Sequence, residues 1–121
     1  MRQGAERLRG THDFSAFRAA GCQNRNPVKT VRALSLERAG EWVYLDITAD
    51  GFLHHMVRNI VGVLLAIGEG RAAPAWAEAV LHSRDRRQGG VTAPAAGLYF
   101  TGAVYAPQYA LPALPPACRF W

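Results

Sequence analysis

The residues best suited to chemistry lie together in positions 54–59, which read His-His-Met-Val-Arg-Asn. The apolar residues that follow predict a helix, and Arg58 falls between Val57 and Ile60, where its side chain is expected to lose water. A guanidinium cannot release its proton, so a desolvated arginine needs a carboxylate or a phosphate as partner. His54 is expected one turn earlier on the same face of that helix.

Two roles for Arg58 are open from the residues alone. In the first, the arginine forms a structural salt bridge within the chain. The candidate partners are Asp13, Asp46 and Asp50. In the second, it keeps an active-site acid ionised and oriented, or it binds a substrate phosphate. For the adjacent pair His54 and His55, a polar helix start at the surface is favoured over a functional role.

Other kinds of site find little support in the sequence. His54 and His55 lack the spacing of metal ligands, and the two cysteines, Cys22 and Cys118, do not cluster with them. Nothing near Cys22 would activate it as a nucleophile. Gly89-Gly90 is an isolated pair without the pattern of a phosphate-binding loop. We therefore do not predict a metal site.

A second segment of interest is Gly97-Leu98-Tyr99-Phe100, which predicts the start of a strand with large side chains. Such a run usually belongs to the core. A leucine at the mouth of a strand can also form an apolar shelf for a flat ring, as enzymes that flip a base out of its stack require.

The charge of the chain points towards a polyanion. The net charge is +5, and residues 1–38 hold eight Lys and Arg against three acids. Thirteen arginines against one lysine suit bidentate contacts with phosphate, although GC-rich coding also produces an arginine-rich composition. On charge alone, Arg18, Arg25 and Arg32 are expected to contact RNA.

The elements that position these residues form an α/β (α+β) pattern. Residues 1–10 predict the end of a helix that stops at Gly10, and strands are predicted at 30–38 and 42–50 with a hairpin at Ala39-Gly40. A largely apolar helix at 53–67 and an amphipathic helix after Pro74 follow. A flexible loop at 88–96, a last strand at 97–105 and a proline-rich tail complete the prediction.

Length and composition limit the class of protein. With 121 residues the chain is one domain or part of one, and 50% apolar residues exclude a disordered chain. The longest mainly apolar stretch, residues 52–67, is interrupted by polar and charged side chains, which argues against a membrane span. Two distant cysteines suggest no disulfide framework, so we expect the reducing cytoplasm.

Four segments together resemble the C-terminal half of the tRNA pseudouridine synthase A family. They are Gly-Thr-His-Asp-Phe-Ser-Ala-Phe at 10–17, Phe-Leu-His-His-Met-Val-Arg-Asn-Ile-Val-Gly at 52–62, Ala-Pro-Ala-Ala-Gly-Leu-Tyr-Phe at 93–100 and Val-Tyr at 104–105. Their order and spacing both match. The resemblance implies a C-terminal domain over residues 1–109 and a proline-rich tail over 110–121.

The resemblance implies an enzyme that isomerises uridine to pseudouridine in the anticodon stem-loop of tRNA, without metal or cofactor. By motif position, Arg58 is the arginine that pairs with the catalytic aspartate, and Leu98 packs on the target base. His54 is grouped with the substrate-binding residues. The family further implies a homodimer that holds tRNA across a basic cleft.

The sequence departs from the family at one decisive place. The Arg-Thr-Asp-Gly-Val-His-like block that carries the catalytic aspartate, and the tyrosine that follows it, are absent. We therefore expect this chain to be the C-terminal portion of such an enzyme, inactive without the half that supplies the aspartate. The alternative is a non-catalytic module for RNA binding or dimerisation.

Overall fold

The computed structural model describes residues 1–19 and 26–102. Its α-helices are α1 (Arg2–Glu6), α2 (Met56–Gly68) and α3 (Ala75–Ser83). Its β-strands are β1 (Gly10–Asp13), β2 (Val28–Ala39) and β3 (Trp42–Ala49). Short 3₁₀ turns cover Ser15–Phe17, Arg86–Gln88 and Ala95–Gly97. The predicted α/β class is confirmed.

The strands form an antiparallel sheet in the order β1-β2-β3. A tight hairpin joins β2 to β3: Ala39 pairs with Trp42, and Gly40 has φ +60°, a left-handed conformation that glycine adopts without strain. The hairpin predicted at Ala39-Gly40 is thereby confirmed, as is the strand that follows it.

A bulge interrupts β2 at Arg32. The pairing between β2 and β3 shifts between Val31 and Ala33, so Arg32 is the extra residue. Side chains of a regular strand alternate between its two faces, so residues three positions apart would point to opposite sides. The bulge allows Val31 and Leu34 both to be buried, while Arg32 is exposed.

The core lies between one face of the sheet and the helices. Its largest fully buried side chains are Leu8, Phe14, Phe17, Val31, Met56, Ile60, Val63, Leu64 and Val80. α2 is buried on most of its sides, as its almost continuous apolar sequence predicted. On β3, the alternate residues Leu45, Ile47 and Ala49 pack against the core, whereas Val43 beside the hairpin is exposed.

Two sequence predictions are corrected, first the helix end at Gly10 and then the last strand. Gly10 does not end a helix; it has φ +96° and begins β1, which the sequence did not reveal because Gly-Thr-His-Asp shows no apolar alternation. β1 forms by pairing with Val28–Val31 of β2.

The predicted last strand is wrong over residues 98–102, which carry no regular structure. An alternating apolar pattern makes a strand only where a neighbouring strand pairs with it, and no described strand pairs with this segment. Residues 103–105, like the proline-rich tail, lie outside the described residues. In the described part of the chain, no helix is long and apolar enough to cross a bilayer.

Candidate functional site

Arg58 lies in the first turn of α2 and is half-buried. Its Nε donates a hydrogen bond of 2.8 Å to the carbonyl oxygen of Ala93. The backbone N–H of Ala93 in turn donates to the carbonyl oxygen of Arg58 at 3.1 Å. The arginine is therefore held at both its backbone and its side chain by one residue of a distant loop.

The structural salt bridge considered for Arg58 is not formed with any described residue. Asp13 Oδ2 lies 3.9 Å from Nε of Arg84, and Asp50 Oδ1 accepts from the N–H of Thr30 at 2.8 Å. Asp46 is exposed on β3. Because Nε carries one of the five N–H donors of a guanidinium, the two terminal nitrogens of Arg58 keep the fork that binds a carboxylate.

His54 and His55 lie at the surface just before the helix. α2 begins at Met56 and not at Leu53 as predicted, because His55 adopts a left-handed conformation with φ 60° that helical residues do not share. His54 is therefore not on the helical face of Arg58. The two imidazole rings lie 3.9 Å apart, and the His54 carbonyl accepts from the N–H of Ala19 at 3.0 Å.

The crowding of the two rings beside Arg58 affects the pKa of His55. Desolvation of the ring, with the neighbouring charges of His54 and Arg58, lowers the pKa of His55 below its ordinary value. Both histidines are exposed at the surface, as predicted, but they precede the helix. His55 is expected to be neutral at physiological pH.

Asn59, for which the sequence predicted no role, is the buried polar side chain of the described core, with 3% of its surface exposed. Its Nδ2 donates to the carbonyl of Phe17 at 2.7 Å. Its Oδ1 accepts from the hydroxyl of Thr92 at 2.6 Å and from Nη2 of Arg86 at 3.1 Å. The available signal was an amide next to Ile60 inside an apolar run, where an unsatisfied polar group would be costly.

Residues 89–94, here called the strap, lie along α2. Besides the bonds from Thr92 and Ala93, the backbone of Val91 approaches Gly62 so closely that a Cβ there would lie 1.9 Å from the Val91 carbonyl oxygen. Only a residue without a side chain permits this contact. The loop predicted to be flexible is therefore attached to the helix at three successive residues.

Leu98 directly follows the 3₁₀ turn Ala95–Gly97. It is 48% exposed, and the next residues Tyr99 and Phe100 are 53% and 83% exposed. The interpretation of this run as core is wrong for the described chain.

The basic residues proposed as RNA contacts are distributed over the fold. Arg32 is exposed at the bulge of β2, and Arg18 is half-buried after the first 3₁₀ turn. Arg25 lies outside the described residues. Part of the N-terminal charge is neutralised, because Arg7 pairs with Glu78 at 2.9 Å and Arg9 pairs with a glutamate of its own turn at 3.3 Å.

Asp13 lies apart from the strap, at the end of β1. Burial raises the pKa of its carboxyl, but the hydrogen bonds from Ser15 and the charges of Arg84 and Arg18 outweigh it, so that the pKa is lowered. The cavity beside it has a volume of about 370 Å³ and is lined by Thr11, His12, Asp13, Leu81, His82 and Arg84. It contains none of the predicted site residues. Among the residues at 1–19 and 26–102, no group of three metal-ligating side chains comes together.

The chain is similar to known proteins along its whole length. A model of the tRNA pseudouridine synthase family matches residues 5–106. A tRNA pseudouridine synthase A of Nitrosococcus oceani is 49% identical over 121 residues, which is 100% of this chain and 47% of the relative. One of Coxiella burnetii is 50% identical, with 95% of this chain and 44% of the relative covered. One of Methylococcus capsulatus is 52% identical, with 92% and 41% covered.

The chain spans about half the length of the curated relatives that it matches, and the match falls in their C-terminal part. The family match covers the helix with Arg58, the strap and Leu98. This chain belongs to the tRNA pseudouridine synthase family.

Proposed function

We propose that this chain supplies the arginine-bearing half of a tRNA pseudouridine synthase active site. The observation that carries the proposal is the state of Arg58: its Nε is fixed on the Ala93 carbonyl, and its terminal nitrogens have no acidic partner among the described residues. A half-buried guanidinium in this state is ready to pair with a carboxylate from outside the chain. That carboxylate is the catalytic aspartate of the half that is absent here.

In the proposed reaction the aspartate acts on the uracil–ribose unit of a uridine in tRNA. The bond between the ribose and the ring nitrogen breaks, the base rotates, and a bond forms between the ribose and carbon 5 of the ring. The proton leaves carbon 5, and the ring nitrogen ends protonated. Arg58 keeps the aspartate ionised and oriented until it acts, because an adjacent positive charge favours the carboxylate form. No metal or cofactor is needed to balance this isomerisation.

The remaining residues are assigned to substrate binding. Leu98, half-exposed at the end of the described chain, packs against the target base. Exposed Arg32, together with Arg18, Arg25 and His54, contacts the tRNA backbone. The family resemblance is the support for a homodimer that acts in the cytoplasm and for residues 1–109 as the C-terminal domain, with 110–121 as a proline-rich tail.

The test is tritium release from tRNA that carries 5-tritiated uridine. The enzyme is a fusion in which this chain replaces the matched C-terminal part of the Nitrosococcus oceani relative, assayed beside this chain alone. We expect release by the fusion only. Within the fusion, Arg58→Ala should lower kcat by about 100-fold or more while the Kd for tRNA stays within a few-fold.

Arg71→Ala is the matched control, because Arg71 is an exposed arginine paired with Glu69 and lies outside the site. Its kcat should equal that of the unmodified fusion. Release by this chain alone would mean that one of its own aspartates performs the chemistry. A loss of tRNA affinity in proportion to the loss of turnover would count against the role given to Arg58.

A non-catalytic RNA-binding module is the second candidate, and the excess of positive charge over residues 1–38 favours it. It predicts that this chain alone binds tRNA with an affinity that falls steeply as salt rises. The ion pairs of Arg7 and Arg9 reduce the free charge available for such binding. Affinity that is absent, or independent of salt, would exclude this candidate.

A further inference from the structure

The amide of Asn59 is satisfied at every polar atom, and in one orientation only. Nδ2 faces a carbonyl, that of Phe17, while Oδ1 faces two donors, the hydroxyl of Thr92 and Nη2 of Arg86. Reversing the amide would set its N–H groups against the guanidinium of Arg86 and its oxygen against the carbonyl of Phe17. The hydroxyl of Thr92 completes the cluster by accepting from the same Nη2 at 2.8 Å.

The cluster connects segments that are distant in sequence. Asn59 belongs to α2, Phe17 to the first 3₁₀ turn, Arg86 to the second, and Thr92 to the strap. The bond of Asn59 to Phe17 is buried, and the bonds with Thr92 and Arg86 are partly buried. They fix geometry because breaking them would leave the buried amide of Asn59 with an unpaired polar atom. The strap is therefore held at a defined position along α2 by Thr92.

Thr92 and Asn59 each immediately adjoin a residue of the arginine site. Thr92 precedes Ala93, whose carbonyl receives the Nε of Arg58 at 2.8 Å, and Asn59 follows Arg58 in the helix. The guanidinium is planar and rigid, but the side chain that carries it has several rotatable bonds. A fixed acceptor at Nε restricts those bonds and so determines where the terminal nitrogens point. The position of that acceptor is determined by the cluster.

We propose that Asn59, Arg86 and Thr92 are positioning residues that set the direction of the Arg58 guanidinium. This inference rests on the proposed function, because the guanidinium matters only if it meets the catalytic aspartate. None of the three touches the substrate in this assignment. They act by holding the strap, and through it the Ala93 carbonyl, at the distance that the Nε of Arg58 requires.

The experiment compares three threonine variants of the fusion described above. Thr92→Val keeps the shape of the side chain but removes the hydroxyl, Thr92→Ser keeps the hydroxyl, and Thr48→Val makes the same change at an exposed position of β3. Because a misplacement of about 1 Å can cost up to roughly 100-fold in rate, we expect Thr92→Val to lower kcat by about tenfold to 100-fold. KM should stay within about twofold, since uniform binding is not removed.

Thr92→Ser should restore kcat to within about threefold of the parent, and Thr48→Val should leave it unchanged. Hydrogen exchange at the Ala93 amide, which donates to the Arg58 carbonyl, gives an independent measurement. Its protection should fall in Thr92→Val and return in Thr92→Ser. If Thr92→Val does not fold, Arg86→Met removes the shared donor at a half-buried position and should give the same loss of kcat.

The outcomes separate this inference from the proposed function. An inactive parent fusion would defeat the proposed function itself. An active parent with an unchanged kcat in folded Thr92→Val would overturn the inference alone. So would a Thr92→Val enzyme that melts at a lower temperature but keeps its kcat per folded molecule, because a purely structural role moves stability and not the rate of the folded enzyme.

Discussion

Gly62→Ala is a sharp test of how the strap meets α2. Alanine is the better helix former, and in an exposed helix interior this change stabilises a protein by about 1 kcal/mol. At Gly62 the added Cβ would lie 1.9 Å from the Val91 carbonyl oxygen, where contacts under 3.0 Å are essentially never found. The strap must therefore move away from the helix by about 1 Å.

The free-energy cost of displacing the strap opposes the gain in helix propensity that alanine brings. A shift of this size stretches the Ala93–Arg58 bonds, now 2.8 and 3.1 Å, beyond hydrogen-bonding distance. Each such bond contributes about 1 kcal/mol net, and overpacking in a filled core typically costs about 1–3 kcal/mol. After the gain in propensity of about 1 kcal/mol, we expect Gly62→Ala to lower the free energy of unfolding by about 2–4 kcal/mol.

The assay is urea unfolding of the 121-residue chain followed by tryptophan fluorescence. Gly68→Ala, at the end of the same helix, is the matched control, because the three atoms nearest to its added Cβ all belong to the side chain of Met1, which can rotate away, and not to backbone. We expect the control to range from no change to a gain of about 1 kcal/mol. A Gly62→Ala chain as stable as the control would refute the close approach, and with it the rigid attachment of the strap.

Two further predictions concern Leu98 and Asp13. Leu98→Ala in the fusion should lower kcat/KM about fivefold through lost packing on the base. Stability should change little because the side chain is 48% exposed. The control Leu65→Ala, at another exposed leucine, should leave kcat/KM unchanged. Asp13→Ala should cost about 1 kcal/mol at neutral pH, since the Asp13 carboxylate accepts from the N–H of Ser15 at 2.9 Å.

The pH dependence of the second prediction follows from the lowered pKa of Asp13. A carboxyl whose pKa is lower in the folded state contributes its stability fully above the unfolded pKa, near 3.9, and loses it as pH falls through the folded value. The difference between the parent and Asp13→Ala should therefore be constant above about pH 5 and shrink below about pH 4. A gap that persists at pH 2 would contradict the assignment.

Part of the arginine site can be predicted from residues that are neighbours in the sequence. The type and place of Arg58 in an apolar helix were enough to predict a desolvated guanidinium that needs an anionic partner, and the motif around it was enough to indicate the family. The helix, the hairpin and β3 also follow from local patterns, since turn residues and alternation act between neighbours in sequence. β1 and the failed strand after Gly97 do not, because strand formation depends on a partner elsewhere.

The sequence by itself predicted that Arg58 needs a carboxylate or a phosphate as partner, and it placed a hairpin turn at Gly40. Its resemblance to the family added the expectation that the aspartate block is absent. Only the tertiary structure decided that Ala93 holds Arg58 across 35 positions and that Asn59 reaches residues 42 and 33 positions away. Such contacts leave no periodic mark in the sequence, because each is a single pair created when distant segments pack around one core. The same packing brings the Val91 carbonyl of the strap into the space that a side chain at position 62 would occupy, so a larger residue there must displace the strap.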